Sequence, residues 1–116
     1  MEFSREGRTV IVQLSGDIDM TAVERVSGGI QSAIKNNDRG VVLDLGEVRY
    51  LDSSGIQMLF DLIRKLHTTR QSIALAVPED SPLVTLLKIT HIHEACPVAP
   101  TVEECLGSME SDPKLY

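Results

Sequence analysis

The residues of this sequence best suited to chemistry form the segment Asp52-Ser53-Ser54-Gly55. The segment follows an apolar run and precedes an amphipathic one, so we expect a turn between a buried strand and a helix. A helix N-terminus offers free N–H groups and a partial positive charge, and both suit a phosphate. Plain helix capping by Asp52 or Ser53 is the commoner use of such residues. Both alternatives stay open on the residues alone.

Helical geometry places Ser54 on the solvent side of the helix that follows. At about 100° per residue from Ser54, one apolar stripe falls between about 120° and 240°. Met58 and Leu62 fall at about 40° and 80°, beside Ser54 and outside that stripe. We therefore expect either an exposed patch of Ser54, Met58 and Leu62 that binds a partner, or a loop that covers the two apolar side chains. The stripe consists of Ile56, Leu59, Phe60, Ile63 and Leu66.

Two other groups of residues have types that bind metal ions. His91, His93 and Cys96 have the spacing of three zinc ligands, but two surface histidines and a small apolar cysteine are the expected interpretation. Asp17 and Asp19 would make only a weak Mg²⁺ site. We expect these carboxylates to shape the potential around the serines, or Asp19 to help cap the next helix. The sequence thus predicts no metal and no other cofactor.

A serine hydrolase is not expected. Its nucleophile elbow has the pattern G-x-S-x-G, whereas Asp52 and Ser53 precede Ser54. A nucleophilic serine also needs a base within hydrogen-bond reach. We expect His67 on the core side of its helix, and the other histidines lie far along the chain. The sequence therefore predicts that the protein is not an enzyme.

Composition and charge favour a cytoplasmic protein. The chain has 116 residues, as one domain would, and its core must be aliphatic because it has only two Phe, two Tyr and no Trp. A net charge of −6 disfavours nucleic acids and anionic membrane surfaces. Cys96 and Cys105 are too few for a disulfide framework. We expect no signal peptide at the N-terminus and no membrane span, which would need roughly 20 apolar residues.

Strand-like and helix-like segments alternate along the chain. The pattern predicts an α/β fold with a mostly parallel sheet of four to five strands, an N-terminal edge hairpin and three to four helices. We expect one domain over residues 1–109 and a flexible tail over 110–116. The predicted strands span residues 2–6, 9–15, 41–45, 73–77 and a short part of 91–100. The predicted helices span residues 21–34, 82–89 and 101–109, and the segment after Gly55 to about His67.

Residue types also predict how two helices begin. Thr21 with Glu24 and Thr101 with Glu104 have the capping-box spacing, in which a hydroxyl accepts from the third helical N–H. Gly28-Gly29 interrupts the first helix, where each glycine costs about 1 kcal/mol relative to alanine.

The sequence resembles the STAS family of anti-sigma factor antagonists. The order and spacing of elements match that family from about residue 3 to residue 107. The resemblance implies the STAS fold. The pair Gly28-Gly29 and the proline-containing stretch 91–100 depart from the family's pattern. The matching segments are Gly16-Asp17-Ile18-Asp19, Val41-Val42-Leu43-Asp44-Leu45 and Tyr50-Leu51-Asp52-Ser53-Ser54-Gly55-Ile56.

The resemblance implies a role in bacterial partner switching. In that family an anti-sigma factor with serine kinase activity phosphorylates the second serine of D-S-S-G, which corresponds to Ser54. The unmodified protein binds the anti-sigma factor and frees the sigma factor, and a metal-dependent serine phosphatase resets the switch. Asp17 and Asp19 correspond to the family's acidic loop. The expected partner surface also includes Asp52, Ser53, Gly55, Met58 and Leu62.

A second role is compatible with the same resemblance. STAS domains also serve as scaffold subunits in stress-signalling assemblies and in lipid or anion transport complexes. The intact D-S-S-G segment favours the antagonist.

Overall fold

Five strands form one sheet within residues 1–110. These are the residues that this computed structural model describes. The sheet order is β1-β2-β3-β4-β5; β1 and β2 are antiparallel and the other neighbours are parallel. The predicted α/β fold with a mostly parallel sheet and an N-terminal hairpin is confirmed. Residues 111–116, most of the predicted tail, lie outside the described residues. The strands are β1 (Glu2–Glu6), β2 (Thr9–Ile18), β3 (Gly40–Leu51), β4 (Ser72–Ala76) and β5 (Val98–Ala99).

The described helices cover both faces of the sheet, because alternate residues of the buried strands point to opposite sides. Val41 and Leu43 face the larger core, which α1, α2 and α3 cover, whereas Val42 joins Cys105 in the smaller core beneath α4. None of the helices in residues 1–110 is long and apolar enough to cross a bilayer. The helices are α1 (Val23–Ala33), α2 (Ser53–Thr68), α3 (Leu83–Thr90) and α4 (Val102–Glu110), and a 3₁₀ turn spans Ile92–Glu94.

Strand β3 is longer than predicted, and the extension positions the serine segment. The apolar run ends at Leu45, but β3 continues to Leu51 because it keeps pairing with β2 through two register shifts. The last residues of the two strands, Ile18 and Leu51, are paired. The polar sequence after Leu45 hid this continuation, since Gly46, Glu47, Arg49 and Tyr50 are exposed, and only β2 pairs with this part of β3.

One predicted capping box forms and the other does not. Thr101 Oγ1 accepts from the Glu104 N–H at 3.2 Å, which confirms the box of α4. The box at Thr21 is wrong, since α1 begins after Ala22 without a side-chain cap. The turn before α1 is held instead by the Asp19 carbonyl, which accepts a hydrogen bond from the Ala22 N–H at 3.0 Å.

The first strand lies beside α1, and the residues at its start contact one of the two glycines. A Cβ on Gly29 would lie 2.5 Å from the Met1 side chain and 3.8 Å from Phe3. Arg5 also anchors β1, because its guanidinium donates to the buried Asp38 carboxylate at 2.6 and 3.0 Å. Arg5 and the N-terminal residues therefore hold β1 beside α1 and the loop that follows it.

Candidate functional site

A single carboxylate fastens the serine turn to the loop before α1. Asp52 follows β3 directly and is the N-cap of α2. Its Oδ1 accepts from the Gly55 N–H at 3.0 Å, and its Oδ2 accepts from the Met20 N–H at 3.1 Å. The Asp52 N–H in turn donates to the carbonyl of Ile18 at 3.3 Å. The first turn of α2 and the β2–α1 loop (residues 19–22) are therefore held as one unit.

Gly55 lets the first turn of α2 pack directly on the ends of β2 and β3. A Cβ at this position would lie 2.8 Å from the backbone oxygen of Ile18 and 2.9 Å from Leu51 Cδ2. This oxygen belongs to the backbone of β2, which cannot shift without disturbing the pairing of the strand. The position therefore excludes side chains for steric reasons.

We expect Gly55→Ala to lower the free energy of unfolding by about 1–3 kcal/mol, the usual cost of overpacking. Urea denaturation measures the change. The matched control is Gly28→Ala in α1, where a Cβ meets no other atom within 4 Å. That control should gain about 0.5–1 kcal/mol from helix propensity. Equal stability of Gly55→Ala and the unmodified protein would contradict the close packing.

The predicted exposed patch of Met58 and Leu62 is wrong. The two side chains are only 5% and 2% exposed. A neighbouring helix covers them rather than a loop, because α1 packs beside α2 on the same face and both side chains join Val26 in the core. The prediction from the helical projection assumed that α2 contacts only the sheet. Contact with a second helix widens the buried arc and turns it towards Met58.

The shift of the buried arc also changes the position of the two serines. Buried residues of α2 run from about 40° to about 180° from Ser54, so Ser54 lies at the edge of the arc. Ser54 is half-exposed rather than fully exposed, and Ser53 is exposed. His67, predicted on the core side, is exposed for the same reason. The serines occupy the first two helical positions, whose N–H groups have no acceptor within the helix.

A shallow groove of about 730 Å³ lies between α1 and α2, with the serines at its wall. Glu24 and Asp61 supply its carboxylates, and none of its lining residues within the described range is Lys or Arg. From outside this set, Arg64 pairs with Asp61, and the Lys65 ammonium donates to Gln31. A phosphate on Ser54 would therefore join a groove whose lining charges are acidic, with two cations bound to lining residues. The lining residues are Val23, Glu24, Ser27, Gly28, Gln31, Ser53, Ser54, Gln57, Met58 and Asp61.

Asp17 and Asp19 lie at the same edge of the sheet as Asp52. Asp19 Oδ1 accepts from the Thr21 hydroxyl at 2.7 Å and from the Thr21 N–H at 3.0 Å. These bonds hold the pKa of Asp19 below its usual value, so the carboxylate is ionised at neutral pH. Asp17 is exposed and pairs with Tyr50 across the strands. The edge therefore carries acidic groups, although Asp19 is engaged within its own loop.

Two exposed apolar side chains at this edge were not predicted. Met20 is 73% exposed, and Tyr50 is 52% exposed. The backbone of Met20 is held by Asp52, and Tyr50 lies two residues before Asp52 in β3. One sequence feature could have predicted the exposure of Met20: it is an apolar residue inside a polar loop, between Asp19 and Thr21.

Other candidate chemistry lies away from the serines. A cavity of about 670 Å³ between α3 and β5 has mostly apolar walls and shares no lining residue with the serine groove.

Both cysteines are free and buried. Burial raises the pKa of Cys96 to about 12 and that of Cys105 to about 11. Both groups are therefore protonated thiols at neutral pH and poor nucleophiles.

Comparison with known proteins gives one family and several similar structures. A sequence model of the STAS domain matches residues 1–105. An anti-sigma-factor antagonist (STAS) domain protein from Planctomyces limnophilus is 25% identical, with a TM-score of 0.80 over 95% of this chain and 97% of that chain.

Two further structures have lower identity. The phosphorylated form of the Bacillus cell fate determinant SpoIIAA is 21% identical, with a TM-score of 0.64 over 92% of this chain and 96% of that one. A sulfate transporter family protein from Wolinella succinogenes is 17% identical, with a TM-score of 0.74 over 89% and 85% of the two chains. These two comparisons show the shared fold alone.

Proposed function

This chain belongs to the STAS domain family, and from that premise we propose that it is an anti-sigma factor antagonist of the partner-switching type. Its unmodified form binds an anti-sigma factor with serine kinase activity and thereby releases a sigma factor. Phosphorylation of Ser54 abolishes this binding, and a metal-dependent serine phosphatase restores it. The observation that carries the proposal is the half-exposed Ser54, which lies in the first turn of α2 beside an acidic groove.

The position of Ser54 supports a gate that acts through charge rather than refolding. A phosphoserine carries a charge of about −1.5 to −2 at neutral pH. The N-terminus of α2 stabilises such a charge by about 0.3–2 kcal/mol. Repulsion from Glu24 in the groove opposes that gain, whereas Asp61 is already paired with Arg64, so the fold itself changes little. The charge acts where a partner would cover it, because burying an unpaired ion is strongly unfavourable.

The surface beside the serines supplies the contacts for the partner. Met20 and Tyr50 offer exposed apolar area, and Asp17 and Asp19 add negative charge at the same edge. Such a surface suits a partner with an apolar pocket bordered by Lys or Arg, since exposed apolar residues with charged neighbours mark interaction sites. Met58 and Leu62 support α2 from the core instead of contacting the partner.

In this proposal the protein is acted upon and does not catalyse. A nucleophilic serine would need a base beside it. His67 lies near the opposite end of α2 from Ser54, and both thiols are protonated. The kinase and the phosphatase supply the chemistry, and ATP belongs to the kinase.

A scaffold role is the second candidate, and the fold shared with the sulfate transporter family protein favours it. In that role the surface around Asp52 would dock permanently, without phosphorylation. The two candidates differ in whether Ser54 is modified and whether a sigma factor is released.

A binding experiment tests the proposal. The unmodified protein is mixed with each anti-sigma factor kinase encoded in the same genome, with the sigma factor bound, and the products are separated by size-exclusion chromatography. We expect a complex with one kinase and free sigma factor. Failure to bind any of them, combined with stable co-purification with a transport complex, would support the scaffold role instead.

A further inference from the structure

A cluster of metal-ligating side chains lies between α3 and β5, away from the serine turn. The donor atoms of His91, His93 and Glu94 all lie within 4.8 Å of one another. All three residues are exposed, so a hydrated ion can reach them. Cys96, the third residue of the sequence pattern, is buried in the core and takes no part. The 3₁₀ turn brings in Glu94 instead.

The separations within this cluster are close to those of ligands of one ion. His91 Nδ1 and Glu94 Oε2 are 3.0 Å apart, in a hydrogen-bonded contact that a bound ion would replace. Two ligands of a tetrahedral zinc ion, each about 2.0–2.2 Å from the metal, are themselves about 3.3–3.6 Å apart. The rings of His91 and His93 are stacked, with centroids 5.7 Å apart. Rotation of the exposed His93 side chain is the adjustment that would complete the set.

The backbone places the first ligand where a cation is favoured. His91 is the C-cap of α3, with φ of 58°, a left-handed conformation that is uncommon for residues other than glycine. The last carbonyl groups of a helix carry partial negative charge, so a cation beside them is stabilised. The short spacing of the three residues also favours a common site. His93 follows His91 by two residues and Glu94 follows His93 by one, so all three lie on a single turn.

We propose that His91, His93 and Glu94 bind one Zn²⁺ ion or a similar divalent transition-metal ion, with water completing the coordination. Two imidazoles and one carboxylate select zinc, copper or nickel over magnesium or calcium, which prefer oxygen ligands. The bound ion ties the segment after α3 together before it enters β5. The site is independent of the phosphorylation proposed at Ser54.

Calorimetric titration of tag-free, EDTA-treated protein with ZnCl₂ tests the site. We expect one ion per chain with a dissociation constant of about 1–10 μM, and no binding of MgCl₂. His91→Asn, His93→Asn and Glu94→Gln should each weaken zinc binding about tenfold or more, because each removes a ligand. Asparagine is chosen at position 91 because it tolerates the left-handed backbone.

The matched control is His67→Asn, which changes an exposed histidine on α2 and should leave the affinity unchanged. Circular dichroism verifies that each variant is folded. A Co²⁺ titration followed by visible absorption gives a second readout, since ligand loss changes the d–d bands. Absence of saturable zinc binding below 1 mM, or the same affinity in all three ligand variants, would overturn the assignment.

Discussion

Ser54→Asp is expected to bind the anti-sigma partner more than about a hundredfold more weakly than Ser54→Ala, a loss of about 3 kcal/mol. The reason is electrostatic. A partner that covers the groove displaces the water that screens the new carboxylate from its acidic neighbours, so their repulsion grows on binding. Glu24 and Asp61 line the groove beside Ser54, and burial against the partner adds the cost of desolvating the new carboxylate. Isothermal titration calorimetry with each variant measures the ratio.

The control for this prediction lies one residue earlier. Ser53 is exposed, so Ser53→Asp adds the same charge at the same helix end. We expect that variant to lose less affinity than Ser54→Asp, because Ser53 is the more exposed of the two serines and its carboxylate keeps more of its water. Both aspartate variants should keep the stability of the parent within about 0.5 kcal/mol. Equal binding by Ser54→Asp and Ser54→Ala would contradict the charge gate.

Asp52→Ala is expected to lower the free energy of unfolding by about 2–4 kcal/mol. The substitution removes the acceptors of two backbone N–H groups, one at Gly55 and one at Met20. Asp52→Asn keeps one carbonyl oxygen, so it should lose about half as much. Urea denaturation measures both changes. We also expect weaker partner binding, because the loop that presents Met20 is no longer held against α2.

A control for Asp52 comes from the same edge of the sheet. Asp17 is exposed, and Asp17→Ala should change the free energy of unfolding by less than about 0.5 kcal/mol. If Asp52→Ala were as stable as Asp17→Ala, the carboxylate would not be holding the turn and the loop together.

The features predicted from sequence are those that local patterns determine. The apolar run at Val41 identifies a buried strand because both of its faces are covered. Thr101 and Glu104 lie three residues apart, and their cap needs no other part of the chain. The D-S-S-G segment after a strand and before an amphipathic helix placed the turn correctly, since strand, cap and helix are consecutive.

The features missed depend on contacts between distant segments. Met58 was placed in solvent because a helical projection shows one helix and the sheet, not the neighbouring α1. The end of β3 was missed because β3 pairs with β2 as far as Leu51, whereas the apolar run of its sequence ends at Leu45. The proximity of Glu94 to His91 was missed because the 3₁₀ turn that brings them together, like the burial of Cys96, depends on the tertiary structure.

Phosphosite mapping tests the central proposal most directly. The unmodified protein, Ser53→Ala and Ser54→Ala are each incubated with the partner kinase and ATP, and the modified residue is identified by mass spectrometry. We expect phosphate on Ser54 in the unmodified protein and in Ser53→Ala, and none in Ser54→Ala. Phosphate on Ser53 alone, or on neither serine with a kinase that binds the protein, would rule out Ser54 as the switch residue.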